Sequence, residues 1–73
     1  MARQSVESEV AGNVWKIEVA VGDSVRIGDV LMILESMKME IPVESPADGR
    51  VVEISVAKEQ AVEEGQVVAV LDA

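Results

Sequence analysis

The chain repeats itself. Displaced by 37 positions, Gly12 to Glu35 falls on Gly49 to Asp72 without a gap, and nine of the twenty-four positions are identical. These are Gly12/Gly49, Val14/Val51, Ile17/Ile54, Val19/Val56, Ala20/Ala57, Val25/Val62, Gly28/Gly65, Val30/Val67 and Leu34/Leu71. Conservative pairs such as Leu31/Val68, Ile33/Val70 and Glu35/Asp72 add to the match. A valine-rich chain offers chance matches, but glycines at the same 16-residue separation in both halves mark turns, not composition. Neither half has enough apolar residues for a core of its own. At 73 residues the chain is expected to form one domain, 1–73, in which the repeats 12–35 and 49–72 interlock about a pseudo-two-fold axis. A domain of about this size buries roughly 60% of its unfolded surface, so its core is thin.

The pattern inside each half predicts strands. Fifteen Val and five Ile make twenty β-branched residues, stiff at χ1 and suited to a pleated surface. Trp15, Ile17, Val19 and Val21 alternate with Lys16, Glu18 and Ala20. Val52, Ile54 and Val56 alternate likewise with Glu53, Ser55 and Ala57, so each series predicts one buried face. Turn residues punctuate both halves, at Ala11-Gly12-Asn13, Gly22-Asp23, Gly28-Asp29, Asp48-Gly49 and Glu64-Gly65. The apolar runs Val30 to Leu34 and Val67 to Leu71 are too short for ordinary helices, and read as strands buried on both sides. Short strands at such spacing predict an all-β sandwich or flattened barrel.

Composition limits the chemistry. There is no Cys for a disulfide or thiolate site, and no His for the usual general base or zinc ligand. No paired-carboxylate motif replaces them, so an enzyme is rejected. Fourteen acidic residues against six basic ones give a net charge of −8. Such a surface repels nucleic acid and anionic membranes, and serves chiefly to keep the domain soluble. No apolar run reaches the ~20 residues of a membrane span, and polar residues follow Met1-Ala2-Arg3 where a signal peptide would be apolar. The expected compartment is cytoplasmic, and the expected state of the isolated chain is monomeric.

Between the halves lies Glu35-Ser36-Met37-Lys38-Met39-Glu40-Ile41-Pro42-Val43. Met39, Ile41 and Val43 fall on one face and Glu40, Pro42 and Glu44 on the other, with Lys38 sharing the outward parity if the strand register extends back to it. Ser36 to Met39 is then a hairpin reversal. It lacks the Gly, Asn or Asp that tight turns with positive φ prefer. Met is a flexible contact residue, so Met37 and Met39 suit an adaptable interface, although Met39 shares its parity with Ile41 and core packing suits it equally.

The segment around Met37-Lys38-Met39 resembles the attachment sequence of biotinyl domains, the biotin carboxyl carrier members of the biotin/lipoyl attachment family. The likeness runs from about Ser5 to Asp72 and includes the two-half symmetry, the glycines before the apolar runs and the central lysine. It implies a barrel-sandwich hybrid: a flattened barrel of two four-stranded antiparallel sheets, with Lys38 displayed on a hairpin. It further implies that a biotin protein ligase joins biotin to the Lys38 amine as an amide, reading Glu35, Ser36, Met37, Met39 and Glu40 around it. A free lysine is mostly protonated near pH 7, so a ligase base or a local shift must supply the nucleophile. In the family, biotin then shuttles a carboxyl group between a biotin carboxylase and a carboxyltransferase, on a carrier with no catalytic residues of its own.

A lipoyl carrier domain of a 2-oxoacid dehydrogenase-type complex shares this fold, but that family usually sets its lysine between Asp and Ala. An unmodified adaptor module is the alternative from another class. The chain departs from the biotinyl pattern at Ser36, where many members have Ala. In the second half, Glu59-Gln60 aligns with Gly22-Asp23. If residue 59 needs a left-handed φ, Glu59→Gly is expected to raise stability. Val19 to Val25 leaves no room for the protruding thumb of many bacterial acetyl-CoA carboxylase carriers, so the thumbless carriers of other carboxylases are the nearer likeness. The Met1 start and the lack of a Pro/Ala-rich linker suit either a free-standing carrier or an excised domain.

Overall fold

The computed structural model describes residues 2–73. Eight strands follow one another, with no helix among the described residues: β1 (Arg3–Glu7), β2 (Gly12–Ile17), β3 (Ser24–Val25), β4 (Val30–Ser36), β5 (Met39–Glu44), β6 (Gly49–Ile54), β7 (Ala61–Val62) and β8 (Val67–Asp72). They form two four-stranded antiparallel sheets, ordered β1-β8-β6-β3 and β5-β4-β2-β7. Adding four to each strand number of the first sheet, cyclically, gives the second. Each sheet therefore takes two strands from each half of the chain, and neither half can close without the other. The body measures 36 × 17 × 17 Å.

The backbone hydrogen bonds obey the same 37-residue displacement. The Val14 N–H donates to the Gln60 carbonyl and the Glu59 N–H to the Val14 carbonyl, at 2.8 and 2.6 Å. Their counterparts run from Val51 to Asp23 and from Gly22 to Val51, at 2.9 and 2.8 Å. The correspondence reaches further than the matched glycines, because Val6-Glu7-Ser8 and Val43-Glu44-Ser45 are identical. Ser8 and Ser45 are both buried, and their hydroxyls donate to the carbonyls of Val10 and Ala47 at 2.5 and 2.6 Å. A buried hydroxyl without a partner would cost free energy, and these two have partners.

The core is built from the same pairs: Val6/Val43, Val14/Val51, Val25/Val62, Leu31/Val68, Met32/Ala69 and Leu34/Leu71, joined by Val56. Bulges explain two differences from the periodicity of the sequence, the phase of β2 and β6 and the burial of the apolar runs. The register between β2 and β4 shifts after Val14, and that between β6 and β8 shifts after Val51. An extra residue at each point reverses the parity. Val14 and Val51 thus point inward, while Trp15 stands 44% exposed on the outer face and Val52 is only half-buried. Val21, expected inside, lies in the loop beyond β2 and is exposed. The apolar runs are not covered on both faces. Leu31 and Val68 are the unpaired residues of further bulges against β5 and β1. Each bulge turns two successive side chains into the core, Leu31 with Met32 and Val68 with Ala69, while Val30, Ile33, Val67 and Val70 stay half-buried.

Candidate functional site

Strands β4 and β5 pair along nearly their whole length, and the last pair is Ser36 with Met39. Only Met37 and Lys38 remain to make the turn. Both have positive φ, 52° and 64°, as a two-residue type I′ hairpin requires. The right-handed twist of the strands imposes that turn although neither residue favours it, and a left-handed φ costs a non-glycine residue roughly 1–2 kcal/mol. The reversal predicted at Ser36 to Met39 is present. Lys38 does not continue the parity of Glu40, because it lies in the turn and not in the strand.

The tip stands in water. Lys38 is exposed, Met37 is 91% exposed and Met39 62%. Met39 therefore does not pack in the core, in contrast to its parity partner Val43, because it adjoins the exposed turn. The one ion pair among the described residues joins Lys16 to Glu18, so no carboxylate holds the Lys38 amine. Ser36, at the base of the turn, donates from its hydroxyl to the Ala11 carbonyl at 2.8 Å, tying the hairpin to the loop before β2. The hydroxyl that replaces the family's common alanine has a structural use. Glu35 and Glu40 face each other across the two strands, so two carboxylates sit one residue pair below the turn.

Gly12 completes the support. A Cβ there would lie 2.5 Å from the Glu35 carbonyl oxygen, and the equivalent Cβ at Gly49 would lie 2.7 Å from that of Asp72. These glycines let β2 and β6 approach their neighbours closely. Reading the sequence marked them only as turn residues.

Further residues lie beside the base of the hairpin, and sequence reasoning missed them as site residues. Asn13 pairs with Glu35, and together with Val14, Trp15, Lys58 and Glu59 they line an open cleft of about 400 Å³. Glu59 has φ 71° where its counterpart Gly22 has 100°. The mismatch within the repeat was the available signal. Proximity to Glu35 was not legible, since it depends on the loop after β6 folding back onto β2.

The family model described as "Biotin-requiring enzyme", Biotin_lipoyl, matches residues 3–71. The chain belongs to the biotin/lipoyl attachment family. This attachment domain is 43% identical over 63 residues to the biotin/lipoyl attachment protein of Bacillus subtilis, covering 86% of each chain. It is 40% identical over 68 residues to the biotinylated protein TB7.3 homolog of Mycobacterium leprae, covering 93% of this chain and 96% of that one. Among solved structures it is similar to the urea carboxylase of Kluyveromyces lactis, with a TM-score of 0.93 and 38% identity over 99% of this chain and 6% of that protein. The domain thus spans nearly all of its small relatives and a small part of the multidomain one. The expected fold of two four-stranded antiparallel sheets is the fold observed.

Proposed function

We propose that the domain is a biotin carboxyl carrier loaded on Lys38. The observation that carries this reading is an exposed primary amine, at the tip of a type I′ hairpin, between two methionines that packing does not require. The names and close similarity of the small relatives support biotin as the group attached.

The residues fit that group. Lys38 supplies the amine, and the turn holds its Cα clear of both sheets so that an enzyme can close around the side chain. The Lys38 Nζ attacks the activated carboxyl carbon of biotin. The amide bond forms, the bond to the activating group breaks, and the amine gives up its proton to a ligase base. The amide removes the positive charge, and the lysine methylenes become part of the tether. When bound, biotin supplies a ureido nitrogen that takes up a carboxyl group and yields it to an acceptor. The domain makes and breaks no bond in that transfer, which belongs to a biotin carboxylase and a carboxyltransferase. It presents the arm and is recognised.

Intact mass spectrometry and avidin capture of the protein from its source cells test this directly. We expect one biotin adduct, lost in Lys38→Arg and kept in Lys16→Arg and Lys58→Arg. A lipoyl adduct without biotin would assign the domain to lipoyl carriers, and full carboxylase activity of Lys38→Arg would make it an adaptor.

A further inference from the structure

Three residues other than glycine hold a left-handed backbone among the described residues: Met37, Lys38 and Glu59. All three lie at the attachment end. Met37 and Lys38 form the tip, and Glu59 borders the cleft that also includes Glu35, three residues before Lys38. The remaining positive-φ positions, Gly22, Gly28 and Gly65, are glycines. Such strain persists where the surroundings over-determine it, and it collects at working surfaces. The loop at Glu59 cannot relax, because its N–H is bonded to the Val14 carbonyl and the Val14 N–H to the carbonyl of Gln60. Its pseudo-symmetric loop at Gly22 makes the same bonds and carries a glycine. The glutamate side chain is therefore not needed to make the turn.

The cleft presents chemistry as well as strain. Trp15 is 44% exposed, the sole aromatic residue of the chain, and stands beside Glu35, Lys58 and Glu59. Aromatic anchors surrounded by polar groups are characteristic of recognition surfaces. The side chain of Glu59 is exposed and forms no ion pair among the described residues.

We propose that Trp15 and Glu59 form a docking surface for the ligase that modifies Lys38, meeting a basic side chain and an apolar patch on that enzyme. The proposal rests on the carrier reading. Reach favours the ligase over the enzymes that act later. The ligase must bring its centre to the Lys38 Nζ, only a lysine side chain away from the backbone, so its surface must descend over the tip and its neighbours. An enzyme acting on the ureido ring works at the end of a much longer arm. Charge points the same way: Glu35 and Glu40 face each other one residue pair below the tip, and Glu59 lines the cleft with Glu35 against the single cation of Lys58, so the carboxylates complement a basic surface.

Steady-state biotinylation by the cognate ligase, with biotin and Mg-ATP, tests this on the wild type, Glu59→Gly, Glu59→Asn, Glu59→Asp and Trp15→Ala, with thermal midpoints measured in parallel. Gly and Asn both accept the left-handed φ but remove the charge, whereas Asp keeps the charge. We expect Glu59→Gly and Glu59→Asn to melt higher than the wild type, yet to show a KM raised about tenfold at unchanged kcat, the ratio given by 1.4 kcal/mol of lost contact. Glu59→Asp keeps most of kcat/KM, and Trp15→Ala raises KM to a similar degree. Wild-type kcat/KM in both Glu59→Gly and Glu59→Asn would overturn the docking surface and leave the carrier reading intact. Failure of the wild type itself to accept biotin would remove both.

Discussion

At position 59 a glutamate stands where the first half of the chain has Gly22, and its φ of 71° lies in the left-handed region. That conformation brings Cβ close to the following carbonyl oxygen and costs about 1–2 kcal/mol. Glycine removes the clash but frees the unfolded chain, which offsets part of the gain. Glu59→Gly should therefore stabilise the domain by about 1 kcal/mol, which for a chain of this length raises the thermal midpoint by about 4–8 °C. Calorimetry checks this, and an unchanged midpoint would show that the loop already carries no strain. The same strain is present at Met37 and Lys38, and at position 38 the proposed attachment of biotin requires a lysine and excludes glycine. Gly12 is the opposite case. Its backbone is unstrained, but a Cβ would lie 2.5 Å from the Glu35 carbonyl oxygen, which is main chain and cannot swing aside. We expect Gly12→Ala to lower the denaturation midpoint markedly, at a cost on the order of 1–3 kcal/mol as strands separate to admit the methyl group.

Among the elements, the β4–β5 hairpin is held by pairing along its length, up to Ser36 and Met39. Glu35 and Glu40 lie directly opposite one another, an unfavourable like-charge pair in a structure whose net charge is already −8. Opposed like charges cost a few tenths of a kcal/mol, up to about 1. Glu40→Gln should recover that amount at low ionic strength. Opposed carboxylates lie closer than the Debye length of about 10 Å at 0.1 M, so salt near 1 M, where that length falls to about 3 Å, is needed to remove most of the difference from the wild type. Urea titrations at two salt concentrations measure both effects, and a stabilisation independent of salt would assign it to something other than charge. The strands themselves were legible from alternation and from the glycines. Their phase was not. Val14 and Trp15 are adjacent and both apolar, so sequence periodicity could not say which one fills the core. The bulge that settles the choice arises from how β2 must coil to meet β4.

Across the whole molecule, the pseudo-two-fold axis relates the lysine hairpin to the chain ends. Ala2 and Ala73 exchange hydrogen bonds of 3.1 and 3.0 Å, and they are the 37-residue counterparts of Met39 and Ser36. The geometry that Met37 and Lys38 span with two residues is therefore repeated at this second pair. Joining Ala73 to Ala2 through Asn-Gly, the preferred type I′ pair, should close a second hairpin without strain. Restricting the unfolded chain in this way should stabilise the domain by about 2–4 kcal/mol, the range typical of a covalent cross-link. The circular protein should melt higher than the linear one and, on the proposed carrier function, still accept biotin at Lys38. A lower midpoint would show that the two pairs are not equivalent.

The two-half plan, the all-β class and the lysine at the joint are legible in the chain before it folds. Each of these is written in local signals: a repeat interval, alternation, turn glycines and one short motif. The closed structure was needed to fix which apolar residues turn inward, how tightly β2 presses on β4 at Gly12, and that Lys58 and Glu59 share a cleft with Trp15 and Glu35. Those outcomes depend on bulges and on contacts between distant segments, from Gly12 with Glu35 to Trp15 with Glu59. Local patterning sets the period of a strand, but only the closing of two sheets over one shared core sets its phase and its neighbours.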